Sequence, residues 1–548
     1  MAPMVAVNDG GDLDFYHVGG VLRLTLVGLK PNTYNKIRVT FDGMTYVTGT
    51  YTVSNAGTSS ATTTVSSGSH NYVEFTKTNT DWDAITTLNI PLPSGDYSDC
   101  TRITINAYFK TGGSSSWYKT IPWLSLGRAR GKKEGTLNGL DLSKYNHFTG
   151  AFAQPQETAN TYIVNANRSA DIRFVLPLFY GNAVVGDEDN ISTAAPAKVN
   201  ANDGVFVNAY DVAISSGNIK SDIEDAGYML NTSGGKLIWS TASSTNKALL
   251  SVEPTIPIID GIGYLVFTVP VDGLQEGSAL IGVLKDGSTD EYVWAWHIWF
   301  VNNGRLSTEE YTNYQGNTID FLDRSLGGRS GTSVIATYYQ FGMPFPIPPS
   351  NGITDRNATL YDENGAYTFN NDSGNTITTL GKALSKPYLP RWSNAFFNTA
   401  AGAAQNFCNI WDATQTGTSD KAVVKTIYDP SPAGMTVPRY NAFTGFTTTG
   451  GNVSSGAPTN CNVVGSFYDG WELKKNSSDA TGSFWAASGY RVDGSTPRYV
   501  RTYGDYWSAC AVSSSNARYL SIGPSGINPQ ASSGRFMTCS IRPALIEN

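Results

Sequence analysis

Hydrophobic and polar residues alternate with a period of two along the first third of the chain, as they do in strands that bury one face. The clearest examples are residues 21–28 (VLRLTLVG), 36–43 (KIRVTFDG) and 101–110 (TRITINAYFK). Short segments rich in Gly, Pro, Asn and Asp separate these strands, and no long segment with a helical period interrupts them. This pattern predicts an antiparallel β-sandwich.

A second β-rich segment extends from about residue 158 to residue 303. It contains the aromatic stretch 292–300 (YVWAWHIWF), in which Trp294 and Trp296 share one face while His297 and Trp299 share the other. A strand that is apolar on both faces is typical of the buried centre of a sheet. We therefore expect this strand to be a central one.

The last part of the chain, of roughly 240 residues, has shorter strands and longer loops rich in aromatic residues, Gly, Pro and Asn. Its one helix candidate is the Ala-rich segment from Asn394 to Trp411, which an Asn precedes as an N-cap. The charged segment 128–134 (RARGKKE) is interpreted as a solvated connection between domains. These patterns predict a mainly β protein with one or two antiparallel sandwich modules followed by an α+β domain.

The composition of the 548 residues supports this fold class and excludes several others. Charged residues make up 15% of the chain, below the roughly 25% of an average soluble protein, and aromatic residues make up 12%. This excludes a coiled coil, a helical repeat array and a disordered chain. The net charge of −7 gives no bulk electrostatic attraction to nucleic acid, so no nucleic-acid partner is expected.

Targeting and membrane signals are weak in the printed sequence. No apolar stretch reaches the ~20 residues that span a bilayer, and residues 255–271 are interrupted by Pro and Gly, as in sheet core. The first residues, MAPMVAVNDGG, lack the basic and apolar regions of a signal peptide. Taken alone, these features would leave the chain in the cytoplasm.

The residue types that most often carry catalysis or bind metals form no local motif. None of the five cysteines has CxxC spacing, and none of the four histidines lies within five residues of another. We therefore expect neither a metal nor a cofactor. His297 lies in an apolar strand, where a hydrogen-bonded core imidazole is favoured over a catalytic base. A distant pair of carboxylates for glycoside hydrolysis stays open among the 45 acidic residues.

Cys510 and Cys539 both lie in strand-like stretches near the C-terminus. Two interpretations fit them, a disulfide between the two residues or a pair of buried free thiols, and their spacing does not choose between these. Either residue could in principle act as a nucleophile, but no local His or Lys pattern supports that role. No catalytic residue is assigned.

Several short motifs resemble those of fimbrillin-family proteins, the β-sandwich pilins and tip subunits of type V pili in Bacteroides-type bacteria. In chain order they are LDFYHVGGVLRL (13–24), ANTYIV (159–164), GN (181–182), WAWHIW (294–299), LDRSLG (322–327), YYQFG (338–342) and KTIYDPSP (425–432). In addition, SGYR (488–491) and YWS (506–508) resemble the Fibrobacter-succinogenes-type major paralogous domain, which is similar to the C-type-lectin-like fold. Together these motifs extend over nearly the whole chain.

This resemblance implies a domain organisation and a function. Residues 1–135 would form a fimbrillin-like β-sandwich, residues 136–305 a second β-rich fimbrillin-like domain, and residues 306–548 an α+β lectin-like domain. The chain would be a non-enzymatic adhesion protein, a tip or accessory subunit of a type V pilus that binds a glycan or a protein through its C-terminal domain. Its other partners would be pilin subunits, joined by donor-strand exchange.

The resemblance also implies a location and an incomplete N-terminus. Fimbrillin-family proteins are lipoproteins of the cell surface, found in the pilus or the outer membrane. In that family the segment resembling residues 3–24 joins a first sandwich to a second. We therefore expect the lipoprotein signal and a first sandwich to precede residue 1.

Two departures from the family pattern concern cysteines. Ser431 and Pro543 stand where the family often has Cys, which suggests the Cys510–Cys539 bridge as a replacement. The family motifs are mostly aromatic, Gly and Pro, as in core and turns, so no ligand-binding residue is assigned. Four tryptophans could stack on sugars, although a role in the packed core is favoured for all of them: Trp294, Trp296, Trp485 and Trp507.

Two alternatives to the pilus interpretation stay open. One is a surface glycan-binding protein unrelated to a pilus. The other is an enzyme built on the lectin-like fold, which would show a cluster of perturbed titratable groups in a pocket.

Overall fold

The protein is described by a computed structural model that covers residues 4–122 and 158–546, apart from internal gaps. The gaps are residues 9–12, 18, 28–33, 43–44, 55–61, 77–84, 94–101, 110–114, 167–171, 186–187, 190–205, 245–246, 260, 271–274, 303–305, 373–375, 391–409, 414–419, 493–495 and 514. The charged segment 128–134 and nearly all of the helix candidate 394–411 lie outside the described residues.

The chain divides into two compact units. The described residues up to Pro122, together with Ile172–Leu176, belong to the first unit, and the rest belong to the second. Strands dominate both units, as the alternating pattern predicts, and the mainly β fold class is confirmed.

The first unit is built from antiparallel strands. β10, β9, β4 and β7 form a four-stranded sheet in that order, while β3 pairs with β8, β5 with β6 and β1 with β2. Ile37, Val39 and Phe41 lie on one face of β4 and are fully buried. The three strands predicted in this region are confirmed. The strands are β1 (Met4–Asn8), β2 (Leu13–His17), β3 (Gly19–Val27), β4 (Tyr34–Asp42), β5 (Thr48–Ser54), β6 (Thr62–His70), β7 (Tyr72–Thr76), β8 (Ile85–Pro93), β9 (Arg102–Phe109) and β10 (Ser115–Pro122).

The remaining strands follow residue 158, and two short α-helices and one 3-10 helix (Thr444–Phe446) interrupt them. The helices are α1 (Ile219–Asp225) and α2 (Leu380–Ser385). The strands are β11 (Thr161–Asn165), β12 (Ile172–Pro177), β13 (Val184–Val185), β14 (Glu188–Asp189), β15 (Leu230–Ser240), β16 (Ser243–Ser244), β17 (Lys247–Ala248), β18 (Ser251–Val252), β19 (Ile258–Ile259), β20 (Ile262–Val269), β21 (Gly277–Lys285), β22 (Tyr292–Val301), β23 (Thr308–Thr312), β24 (Thr318–Leu322), β25 (Tyr339–Gln340), β26 (Leu360–Tyr361), β27 (Ala366–Tyr367), β28 (Met435–Thr436), β29 (Val463–Val464), β30 (Gly470–Lys474), β31 (Gly482–Ala486), β32 (Gly504–Ala511), β33 (Asn516–Gly523), β34 (Gly526–Gly534), β35 (Thr538–Cys539) and β36 (Ala544–Leu545).

A six-stranded sheet forms one core of the second unit, with the strand order β11-β22-β21-β15-β26-β27. β11 runs parallel to β22, and the other neighbours are antiparallel. β22 carries the aromatic stretch, and all ten of its residues are buried. Since β22 lies between β11 and β21, the predicted central strand is confirmed.

Trp485 on β31 is the centre of a second core in the same unit. Phe446, Phe321 and Tyr506 surround it with ring centroids at 4.9, 5.2 and 5.2 Å, mostly edge to face, which is a favourable geometry for aromatic rings. The guanidinium of Arg542 lies 4.1 Å from the ring centroid. This cluster packs β23, β24 and β31 to β33 together.

Side-chain hydrogen bonds join described residues before position 303 to described residues after position 305. Asn160 in the loop before β11 donates hydrogen bonds of 2.8 Å to the carbonyls of Ile427 and Asp429, and it accepts one of 3.0 Å from Trp294 Nε1. His297 on β22 contacts the hydroxyl of Tyr339. The described residues from 177 onward, on both sides of position 305, belong to one compact unit.

The expected bridge between Cys510 and Cys539 is not formed, because both residues are buried free thiols. Ser540 pairs in parallel with Tyr506, which places Cys539 opposite Asp505 on β32. Cys510 lies five residues further along that strand, roughly 16 Å away at about 3.3 Å per residue. A disulfide needs Cα atoms within about 7 Å, so the bridge and its suggested role as a replacement are corrected.

Candidate ligand-binding surface

The four tryptophans considered for sugar stacking are all buried. Trp294, Trp296, Trp485 and Trp507 have no exposed surface. The indole nitrogen of Trp507 donates a 2.8 Å hydrogen bond to the carbonyl of Tyr339, so its polar edge is also occupied inside the core. These side chains present no face to an external sugar, which agrees with the favoured interpretation as core.

His297 is a hydrogen-bonded core imidazole, as expected. Its Nδ1 lies 3.1 Å from the hydroxyls of Thr161 and Tyr339, and its Nε2 lies 2.9 Å from Ser278 Oγ. The Thr161 hydroxyl donates its proton to the carbonyl of Pro430, so it can only accept from Nδ1–H. Burial lowers the pKa of His297 to about 3, which keeps the ring neutral.

The buried thiols do not form a nucleophilic site. Cys539 is fully buried beside Asp505, and both burial and the neighbouring carboxylate raise the pKa of its thiol well above the usual value. A neutral thiol is a poor nucleophile. Burial likewise raises the pKa of Asp505 to about 7. This is a cluster of perturbed groups, but Asp505 is only 2% exposed and Cys539 is not exposed at all, so no substrate reaches it.

Among the described residues, no group of three or more His, Cys, Asp or Glu side chains is arranged to hold a metal ion. None of the helices in this part of the chain is long and apolar enough to cross a membrane.

Residues 489–492 and 496–503, named here the tyrosine loop, carry aromatic side chains at the surface. Tyr499 is 48% exposed. Its ring stacks on Tyr490 at 5.6 Å and 22° and meets the edge of Tyr503 at 5.5 Å and 89°. Tyrosines that are fixed by each other present a rigid amphipathic surface at little entropic cost, which is why they are enriched in binding interfaces.

The backbone of the tyrosine loop is held in an unfavourable conformation. Tyr499 has φ of 59° and Arg501 has φ of 67°, in the left-handed region that costs a side-chain-bearing residue about 1–2 kcal/mol. Anchoring hydrogen bonds hold this conformation: Val500 N–H donates to Asp355 Oδ1 at 2.9 Å, and Arg501 N–H donates to the carbonyl of Ala487 at 2.7 Å. Strain of this kind concentrates at functional sites, where it preorganises side chains.

Arg501 joins the tyrosine loop to two neighbouring segments. Its Nη1 lies 3.2 Å from Asp469 Oδ2, and its Nε donates a 2.9 Å hydrogen bond to the carbonyl of Gly352. Asp469 itself has φ of 56°, and the adjacent Tyr468 is 77% exposed. The tyrosine loop and Tyr468 together form what we name the tyrosine surface.

Sequence reasoning placed Tyr490 in a family motif but did not identify this surface. The signal would have been the spacing of Tyr490, Tyr499 and Tyr503 in one loop, together with three arginines. The sequence does not indicate these positive φ angles. Gly or Asn usually occupies such positions, whereas Tyr and Arg occupy them here.

Comparisons with protein-family models, with curated proteins and with solved structures found no match to this chain in any of the three. The fimbrillin-like interpretation therefore rests on the sequence motifs, and the site rests on the geometry described above.

Proposed function

We propose that this chain is a cell-surface adhesion protein, a fimbrillin-like tip or accessory subunit of a type V pilus, which contacts its ligand through the tyrosine surface. The observation that carries the adhesive role is the pair of strained residues, Tyr499 and Arg501, in a loop anchored to the fold. A fold that accepts this strain while exposing the Tyr499 ring is consistent with selection for binding rather than for stability.

The chemistry of the tyrosine surface suits a ligand with both apolar and polar groups. Phenol rings pack on the apolar faces of sugars or on side chains of a protein, while their hydroxyls and the guanidinium of Arg501 supply hydrogen bonds. The first unit supports the pilus part of the proposal, because its long antiparallel strands resemble the sheets that donor strands complete. A glycan or protein ligand would then be held on the outer surface of the cell.

A glycan array with the full chain, followed by an adhesion assay on cells that display the bound glycan, tests the adhesive role. We expect Tyr499→Ala to weaken binding at least tenfold, because it removes the ring that both other tyrosines of the loop contact. Tyr314→Ala is the matched control, since Tyr314 is 58% exposed on the same unit but lies outside the tyrosine surface. Equal binding by the wild type and the Tyr499 variant would show that the ligand is not contacted through the tyrosine surface.

The pilus context has a separate test. Immunogold labelling of intact cells should place the chain on filaments, and pilin genes should lie beside the gene that encodes it. Neighbouring genes for sugar uptake, with label spread over a filament-free cell surface, would favour a glycan-binding protein outside any pilus.

A further inference from the structure

A cavity of about 270 Å³ lies in the second unit. Its wall is built by the chain that follows β15, by Gly277 at the start of β21, and by residues from the segments 327–335 and 349–361. Its volume is near the lower end of the range for ligand pockets, which suits one small molecule the size of a single sugar ring.

The wall of this cavity is rich in hydroxyl groups. Both backbone groups of Ser278 fix the Thr241 hydroxyl, with hydrogen bonds of 3.2 and 2.9 Å. Ser243, Thr359 and Tyr361 are further residues that line the cavity. The wall therefore combines several hydroxyl-bearing residues, one of them with a fixed hydroxyl, with the aromatic residue Tyr361.

Arg329 is the one charged residue among the described residues of the wall. Its Nε is shielded from solvent and has no hydrogen-bond acceptor within the described part of the chain. Arg324, five residues earlier, shows the ordinary arrangement, with Nε 2.8 Å from Asp323 and the guanidinium 3.8 Å from Glu276. Arg324 is thus paired with carboxylates, whereas Nε of the cavity-lining Arg329 has no acceptor among the described residues.

A shielded guanidinium nitrogen without an acceptor is costly, and an anion that enters the cavity would remove this cost. The planar guanidinium matches a carboxylate in two parallel hydrogen bonds, and the surrounding hydroxyls match the hydroxyls of a sugar. We propose that this cavity binds an acidic monosaccharide, with the ligand carboxylate on Arg329 and the ring hydroxyls on Ser243, Thr359 and Tyr361. This assignment of a ligand does not rest on the adhesive role proposed above.

The test is calorimetry and saturation-transfer NMR on the full chain with galacturonate and N-acetylneuraminate as acidic probes. Galactose serves as the neutral control and inorganic sulfate as the anion without a sugar ring. We expect acidic sugars to bind at least tenfold more tightly than either control. An oligogalacturonide then distinguishes the two sources, a free sugar or the end residue of a glycan, since an end residue must also bind when it is part of a chain.

Three variants make the assignment specific. Arg329→Gln should weaken binding of the acidic sugar at least tenfold, and Arg329→Lys should restore it only in part because the planar fork is lost. Arg356→Gln is the matched control, since Arg356 is an exposed arginine in the neighbouring segment and does not line the cavity. A ligand-binding role also predicts that Arg329→Gln melts at or above the wild-type temperature without ligand, whereas a structural arginine would lower it.

Two results would overturn the proposal. Equal affinity of wild type and Arg329→Gln for the acidic sugars would show that Arg329 does not hold the ligand. Sulfate or galactose binding as tightly as the acidic sugars would show that the cavity does not recognise the combination of a carboxylate and a hydroxylated ring.

Discussion

Replacing Asp505 by Asn should change how the stability of the protein depends on pH. Asp505 is the second residue of the buried strand β32 and is 2% exposed, and its Oδ1 has no hydrogen-bond partner among the described residues. Burial raises the pKa of this carboxyl group from 3.8 to about 7 in the folded protein. Between these values the folded state keeps the proton that the unfolded state has already released.

The sign and size of the effect follow from this difference in proton binding. Stability falls as pH rises wherever the folded state binds more protons, so the contribution of Asp505 declines between about pH 4 and pH 7 and is constant on either side. A shift of roughly three pKa units corresponds to about 4 kcal/mol. Asn cannot ionise, so Asp505→Asn should gain up to that amount relative to wild type between pH 4 and pH 8.

Urea unfolding followed by tryptophan fluorescence at pH 4, 5.5, 7 and 8.5 measures this difference, because buried tryptophans report on the second unit. The quantity to compare is the variant minus the wild type at each pH, since other titrating groups then cancel. Glu472→Gln is the control, an exposed carboxylate on β30 that should leave the difference flat. If the Asp505 difference were also flat across this range, the reasoning from burial would be refuted.

Three further predictions follow from the second unit. His297→Gln should remove a stability loss that wild type shows on acidification from about pH 6.5 to pH 3, because the folded state cannot protonate this imidazole until its pKa of about 3; urea unfolding in the same buffers measures it. Cys510 and Cys539 should resist alkylation in the native protein and react in urea without prior reduction, as peptide mass mapping would show; a bridged pair would need reductant first. Tyr499→Asn should raise the free energy of unfolding by up to about 1 kcal/mol, since Asn tolerates positive φ better, and it should weaken ligand binding. A variant that was less stable than the wild type as well as weaker in binding would contradict the assigned strain.

The sequence predicts the parts of this fold that depend on local pattern. Strands β3, β4 and β9 follow directly from alternation, and the centrality of β22 follows from its two apolar faces. The structural interpretation of His297 was also available, because an isolated imidazole in an apolar strand must be neutral and hydrogen-bonded. These features are set by the residues themselves and their immediate neighbours.

Long-range contacts explain what the sequence did not predict. The hydrogen bonds of Asn160 reach carbonyls more than 260 residues away, and no local pattern in the sequence indicates such a contact. Whether Cys510 meets Cys539 depends on the register between β32 and the parallel bridge at Ser540, which spacing along the chain does not fix. The lack of an acceptor for Arg329 Nε among the described residues likewise depends on residues that are distant in the sequence.

One segment of the chain contributes residues to both proposed sites, so that ordering of one site is expected to affect the other. Residues 349–361 line the cavity at each of their ends, while Gly352 and Asp355 in the middle accept hydrogen bonds from Arg501 and from the backbone of Val500. We therefore expect a ligand that orders the cavity wall also to restrain Gly352 and Asp355, which hold the tyrosine loop. Because coupling between sites is reciprocal, binding at the tyrosine surface should tighten acidic-sugar binding by the same factor, and Asp355→Ala should reduce that factor towards one while leaving Arg329 in place. Isothermal titration of one ligand in the presence of the other measures this factor, and a value of one in the wild type would show that the two sites act independently.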